Sequence, residues 1–261
     1  MVDVNSAAES RRDGTTPAFQ RIVVIGGGCY GSWYTQQLSR AFARGALECG
    51  EVVVVDRNAQ PPAKQRAARG EFGALPLRFV QSSWNDFVAS WFAEGESAVA
   101  EDALVPSPLM PHLLLDWLVI RARSRWPHRA VEVQPLDRNP PVPWQRAAPD
   151  GRHYVSFAEW MCPVNCIEPA RCPATRGARD WSMPVAISRF AESPASSGSM
   201  ELRGHVIFQC IHRTWGVGMI DAAPVVRADA QIARWASNGP VNVLVGTTSH
   251  CHGALGVLAI G

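Results

Sequence analysis

Lysine is nearly missing from this chain: Lys64 is the only one, and the other basic residues are arginine. They are scattered, and the net charge is only +2. No basic patch of the kind that holds nucleic acid is present, so no nucleic-acid partner is expected. The arginine bias itself carries no functional reading. Long apolar runs are also missing. None approaches the roughly 20 residues of a membrane span, and no charged-then-apolar leader opens the chain. A cytoplasmic protein without a membrane partner is therefore expected. The chain also lacks a G-x-S-x-G elbow, a P-loop lysine and an H-E-x-x-H pair, which removes three large enzyme classes. No internal repeat is evident. A disulfide framework is not expected either. The cysteines number seven, an odd count, and in an α/β-patterned chain they suggest reduced thiols or metal ligands.

What is present suffices for one large or two modest domains, with 261 residues of which 47% are hydrophobic. The most informative stretch is residues 21–57. Ile22 to Ile25 form an apolar run. Gly26, Gly28 and Gly31 follow in G-x-G-x-x-G spacing. Tyr30, Tyr34, Leu38 and Phe42 then recur at helical spacing. A second run, Val52 to Val55, is closed by Asp56. Strand, glycine turn, helix, strand and terminal acid are the setting in which this spacing signals dinucleotide binding. Gly26 allows the tight turn, Gly28 lets a pyrophosphate approach, and Gly31 permits close packing of helix on sheet. The free N–H groups at the helix start then face the phosphates. Asp56 lies 25 residues after Gly31 and is suited to a ribose hydroxyl. That favours NAD(H), while Arg57 is placed to hold the 2′-phosphate of NADP(H). Cys29, at the helix start, is in a position that lowers a thiol pKa. It is either redox-active beside a nicotinamide or simply packed.

The rest of the first half alternates. Residues 1–19 are small, polar and charged and read as a disordered tail. Leu77–Gln81, Ala103–Val105 and Val131–Val133 read as strands. Ser83 or Asn85 caps a helix carrying Phe87, Trp91 and Phe92. A helix over Pro111–Trp126 buries Leu114, Leu115, Leu118 and Val119. The alternation predicts a parallel sheet with helices on both faces, Rossmann-like, over residues 20–135. IVVIGGGCYG, VVVVDRN, RFVQ and the strand after Asp102 resemble the NAD-binding domains of potassium-uptake and potassium-conductance regulators. The resemblance covers about half the chain. It implies a dinucleotide held by Gly26, Gly28, Gly31 and Asp56.

Residues 136–151 lie in a stretch with five prolines and read as a linker. Residues 152–261 form a second α/β half, either a continuation of the first sheet or a smaller sheet. Its strands are His153–Phe157, His205–Ile211 and Val241–Val245. Its helices are Ser182–Phe190, Ala228–Ala236 and a segment from Cys251. Gly216–Gly218 reads as irregular, and Ser193–Ser199 as a loop.

This half holds the cysteine loop. Cys162, Cys166 and Cys172 stand in C-x3-C-x5-C-P spacing among Pro163, Pro169 and Pro173. Proline excludes regular helix and strand there, so three thiols sit on one stiff loop. The spacing matches neither the ferredoxin nor the zinc-loop pattern. It favours an iron–sulfur cluster slightly over zinc, with reduced, loop-packed thiols as the third reading. Cys251 is the candidate fourth ligand, and His252 beside it is a ligand or an acid–base group. Cys210 and His212, on one face of a strand, form a further pair, although Cys210 reads mainly as core. Trp84, Trp91, Trp117 and Trp126 read as packing residues. Trp144, Trp160, Trp181 and Trp215 are placed to shield the cysteine loop.

The expected protein is an NAD(P)-dependent redox protein with a Cys-ligated metal centre, acting on a small-molecule substrate or a redox partner. Catalytic candidates are His252 and Cys29. A homo-oligomer is compatible with this reading. Two alternatives stand beside it: an NAD-sensing regulatory module with a structural metal site, and a transferase using another adenosine cofactor.

Overall fold

The run Ile22–Ile25 lies in strand β1, Ala18–Ile25, of a computed structural model that describes residues 16–160, 162, 166–194 and 200–261. Residues 1–15 of the expected tail lie outside the described residues. Ala18 and Phe19, expected in that tail, instead begin β1, because Phe19 is buried in the core. Among the described residues the chain is mixed α/β, with six helices and two mixed sheets. Its contacts divide it into two units. One comprises the chain up to Leu113 with Ile211–Val226, and the other Leu114–Cys210 with Arg227–Gly261.

In the first unit, helix α1 (Cys29–Ala43) leads to β2 (Glu48–Asp56), the short α2 (Pro62–Ala68), β3 (Leu77–Gln81), α3 (Trp84–Phe92) and β4 (Asp102–Val105). The sheet order is β3-β2-β1-β4, all parallel. Strands in such a sheet are buried on both faces and read as continuous apolar runs. Ile22 to Ile25, Val52 to Val55 and Ala103 to Val105 are accordingly buried. One face, Ile22, Val24, Val52, Val54, Ala103 and Val105, packs with Leu38 and Ala41 of α1. Tyr34 and Phe42 join that core in part, but Tyr30 is exposed, at the open first turn of the helix. Ser83 caps α3, its hydroxyl accepting from the Asp86 N–H at 3.1 Å.

The sheet continues with strands from much later in the chain. β9 (Ile211–Thr214) and β10 (Val217–Asp221) form a hairpin, and β10 pairs antiparallel with β4. The expected all-parallel sheet is thus mixed, and Gly216–Gly218 is not an irregular stretch. Trp215 and Gly216, with φ of 46° and 78°, form a two-residue turn in the left-handed region that hairpins favour.

The second unit is built on β6 (Trp144–Ala147), β7 (His153–Ser156), β12 (His252–Ile260), β11 (Val241–Thr248) and β8 (Gly204–Gln209), in that order, and β5 (Val131–Gln134) also pairs with β12. Only β8 and β11 are parallel. Four expectations change here. β5 pairs antiparallel with β12 rather than extending the first sheet. Residues 136–151, expected as a linker, carry β6, which pairs with β7. The run His205–Ile211 is broken at Cys210, because β8 and β9 belong to different sheets. The segment from Cys251, expected as a helix, is strand β12, and the turn at 249–251 closes a hairpin with β11. Helix α5 (Met183–Glu192) buries Met183, Ile187 and Phe190 against Leu244, Leu255 and Val257. Helix α4 (Leu113–Arg125) buries Leu114, Leu115, Leu118 and Val119. Helix α6 (Ala222–Ala236) brings Trp235 against Gly204, where a Cβ would meet the indole at 2.8 Å.

Candidate functional site

The glycine turn occupies the carboxyl end of β1, and each glycine answers a different demand. Gly26 has φ of 85°, a conformation that disfavours any side chain. Its N–H donates to the Val55 carbonyl at 2.8 Å, and the Trp84 ring lies where a Cβ would point, at 3.2 Å. Gly31 faces the Gly26 carbonyl so closely that helix and strand pack only without a side chain there. Gly28 is unlike both. Its φ is −73°, and a Cβ built on it meets nothing within 4 Å. Nothing in the chain requires glycine at this position, which is the N-cap of α1 and has open space beside it. The first turn of α1 carries no acidic residue and no side-chain cap, so its N–H groups are available to an anion.

Asp56, at the end of β2, reaches back to the turn. Its carboxylate accepts from the Gly27 N–H at 2.7 Å and the Asn58 N–H at 2.8 Å. A carboxylate has about four lone-pair sites, so acceptor capacity remains. Beside it a hollow of about 180 Å³ is lined by Asp56, Arg57, Trp84, Asn85 and Met110. The Trp84 indole Nε1 and the Asn85 Oδ1 are buried, with no hydrogen-bond partner among the described residues. Trp84, expected as packing, does pack on Gly26, and it also lines this hollow together with Asn85, considered only as a cap. The signal available was their place immediately after β3, at the same sheet edge as Asp56. Cys29 is the first residue of α1 and is exposed.

The second unit contains the cysteine loop. Residues 161 and 163–165 lie outside the described residues. Cys172 is the best defined of its thiols. Arg171 bridges Ala178, the Cys172 N–H donates to the Gly177 carbonyl at 3.0 Å, and the Arg176 N–H donates to the Cys172 carbonyl at 2.8 Å. This tight turn aims donors at the sulfur. The Thr175 N–H chiefly, then the Thr175 hydroxyl, the Ala174 N–H and the Arg179 charge hold the Cys172 thiol below its usual pKa. Cys162 is shifted the other way, first by burial and then by its neighbours Cys166 and Cys172.

Glu168 ties this loop to the β11–β12 turn, a connection that the sequence reading did not find. Its carboxylate accepts from the Ser249 hydroxyl at 2.6 Å, the His250 N–H at 2.9 Å and the Cys251 N–H at 3.1 Å. Cys251 is buried, which pushes its thiol up to about 11, and the Trp181 indole donates to its sulfur at 3.4 Å. Of the four tryptophans expected to shield the loop, Trp181 covers Cys251. Trp144 lies in β6 and Trp215 in the β9–β10 turn. His252 opens β12 and is exposed. Cys210 and His212 fall on opposite sides of the break between β8 and β9, so the expected shared strand face does not exist. Among the described residues, no group of three or more His, Cys, Asp or Glu is placed to hold a metal ion. No described helix is long and apolar enough to cross a membrane.

No curated protein and no solved structure matches the chain. A family model does match, over residues 112–261, which is more than half of the chain and includes the cysteine loop, Glu168 and the β11–β12 turn. The chain therefore belongs to the family AF_1314_C, whose description reads "uncharacterized protein, C-terminal domain".

Proposed function

We propose that the protein is an NAD(P)-binding redox protein whose first unit takes the dinucleotide on the glycine turn. The observation that carries this reading is Gly28, a helix N-cap where no neighbouring atom forbids a side chain and where open space meets unclaimed N–H groups. Two further observations support it. The order β3-β2-β1-β4 is that of the first four strands of a doubly wound nucleotide-binding sheet. The hollow beside Asp56 is lined in part by Trp84 and Asn85, whose buried indole N–H and amide oxygen have no hydrogen-bond partner among the described residues.

The residues fit such a ligand. The α1 N–H groups would face the pyrophosphate. Asp56 would accept from a ribose hydroxyl, or Arg57 would hold a 2′-phosphate. Trp84 and Asn85 would offer polar atoms at the same sheet edge. The bound cofactor supplies hydride chemistry, and the chain supplies position and electrostatics. Asp56 favours a second reading, nucleotide sensing. Because its carboxylate already holds Gly27, a ribose competing for that carboxylate would disturb the turn.

Calorimetric titration of the full chain with NADH and NADPH tests the proposal. Binding of at least one is expected, with loss in Gly28→Val. A wild type that binds neither, or a variant that binds as well as wild type, removes the reading. Steady turnover of a substrate separates enzyme from sensor.

A further inference from the structure

The second unit holds a hollow of about 350 Å³ that is independent of the nucleotide reading. Small-molecule sites run from roughly 300 to 1,000 Å³. β12 lies between β11 and β5, and the register sets Asn242, Ala259 and Glu132 side by side. Partners on antiparallel strands share one face of a sheet. In the next row of that face, Leu244 and Val257 are buried in the core under α5. Past that core the hollow opens, and the small buried Ala259 leaves room between longer neighbours. Arg203 extends the row, its N–H donating to the Asn242 carbonyl at 2.8 Å just before β8. Glu201 precedes it by two residues and also lines the hollow, as does Gln134 beside Glu132. Neighbouring strands are about 4.8 Å apart, so β5 and β11 are separated by about 10 Å. Glu132 therefore stands at one end, and Arg203 with Glu201 at the other.

Elsewhere in the chain arginines find carboxylates: Arg78 pairs with Glu51, Arg125 with Asp229 and Arg213 with Asp221. Arg203 shares one hollow with two carboxylates, yet among the described residues it forms no ion pair with either. The Glu132 carboxylate receives a long bond from the Gln134 amide at 3.4 Å. Both signs of charge thus face one cavity without neutralising each other. Exposed charges alone would carry no reading. The cavity, its small buried floor and the separation of the signs do so together.

We propose that this hollow binds a basic amino acid, a ligand with one carboxylate and two cationic groups. The single net positive charge of such a ligand complements the single net negative charge of Glu132, Glu201 and Arg203. Arg203 takes the α-carboxylate, which a guanidinium grips with two parallel N–H bonds. Glu201, at the same end, takes the adjacent α-ammonium. The flexible aliphatic stem lies across Ala259, and the terminal cation reaches Glu132. The Asn242 and Gln134 amides offer hydrogen bonds along the way.

Calorimetric titration of the full chain with L-lysine and L-arginine tests the proposal. Two probes each lack one end: norleucine has no terminal cation, and cadaverine has no carboxylate. At least one basic amino acid should bind about 10-fold more tightly than either probe, the scale of one lost charged hydrogen bond. Arg203→Ala should weaken that amino acid by about the same factor and leave cadaverine no weaker. Glu132→Gln should weaken it too, while leaving norleucine unchanged. Arg203 and Glu132 are exposed, so both variants should keep a normal far-UV spectrum. Wild type that binds neither lysine nor arginine at millimolar concentration overturns the proposal. Cadaverine binding as tightly as lysine also overturns it, because the hollow would then only attract cations. Undiminished lysine binding by Arg203→Ala overturns the placement of the carboxylate. Nucleotide titration of the same samples reads the first unit separately, so failure of one proposal is not mistaken for failure of the other.

Discussion

A Cβ added to Gly31 would stand 1.7 Å from the carbonyl oxygen of Gly26. The two glycines thus set how closely α1 approaches β1, and Gly28 between them takes no part in that packing. The contrast separates the fold's demands from a ligand's. Gly31→Ala should destabilise the protein by about 3 kcal/mol or more, since backbone must move to make room. Gly28→Ala should cost less than about 1 kcal/mol, the scale of an altered N-cap. Urea unfolding measures both. Equal losses would mean that Gly28 is also structural and would weaken the nucleotide assignment.

Asp56 accepts two backbone N–H bonds, and bonds to a charged acceptor contribute about 1.5–3 kcal/mol each when fully formed. Asp56 is half-buried, so Asp56→Ala should cost about 2 kcal/mol in total. The same variant should weaken NADH binding more than NADPH binding, because only NADH offers a free 2′-hydroxyl to this carboxylate. A parallel loss for both ligands would show that Asp56 acts through the turn alone.

His153, at the start of β7, is buried and bonded through Nε2 to Gln145 Oε1 at 2.9 Å. Burial holds its pKa below the usual 6.5, so the folded state prefers the neutral ring. The stability it contributes is complete above pH 6.5 and is lost as pH falls through the lowered value. Thermal melts from pH 8 to pH 5 should show wild type losing stability below about pH 6.5, relative to His153→Gln. Curves that stay parallel across this range would exclude His153 as the source.

Asp229 in α6 is buried and paired with Arg121 at 3.1 Å and Arg125 at 2.8 Å, both on α4. The arginines are partly exposed, which reduces the cost of unpairing them. Asp229→Ala should therefore cost about 2 kcal/mol rather than the larger penalty of a fully buried broken pair. Adding Arg125→Ala should lose less than the sum of the two single changes. Strict additivity would mean that the pair is not coupled.

The local elements were legible in the sequence because each leaves a local trace. Ile22–Ile25 and Val52–Val55 are buried on both faces and read as runs. Ser83 shows as a cap because its hydroxyl satisfies an N–H three residues on. Gly26 and Gly31 show as a turn because no other residue fits their backbone or their packing. Partner choice left no such trace. Val131–Gln134 shows the same short alternation of valine with Glu132 and Gln134 whether it joins β4 in parallel or β12 antiparallel. The nearest-neighbour pattern of HVIFQCIH likewise does not reveal that the strand breaks at Cys210. Small residues such as Gly253 and Gly256 made β12 look unlike a strand, and only its neighbours explain them, since a Cβ at Gly256 would press on Leu115 at 2.7 Å. The same division holds at the sites. The cysteine spacing and the glycine spacing were there to be read. Tertiary structure alone brought Glu168 to the turn holding Cys251, 83 residues away, and Asp56 to Gly27, because a hydrogen bond between distant segments depends on how the chain folds back and not on the residues beside either partner.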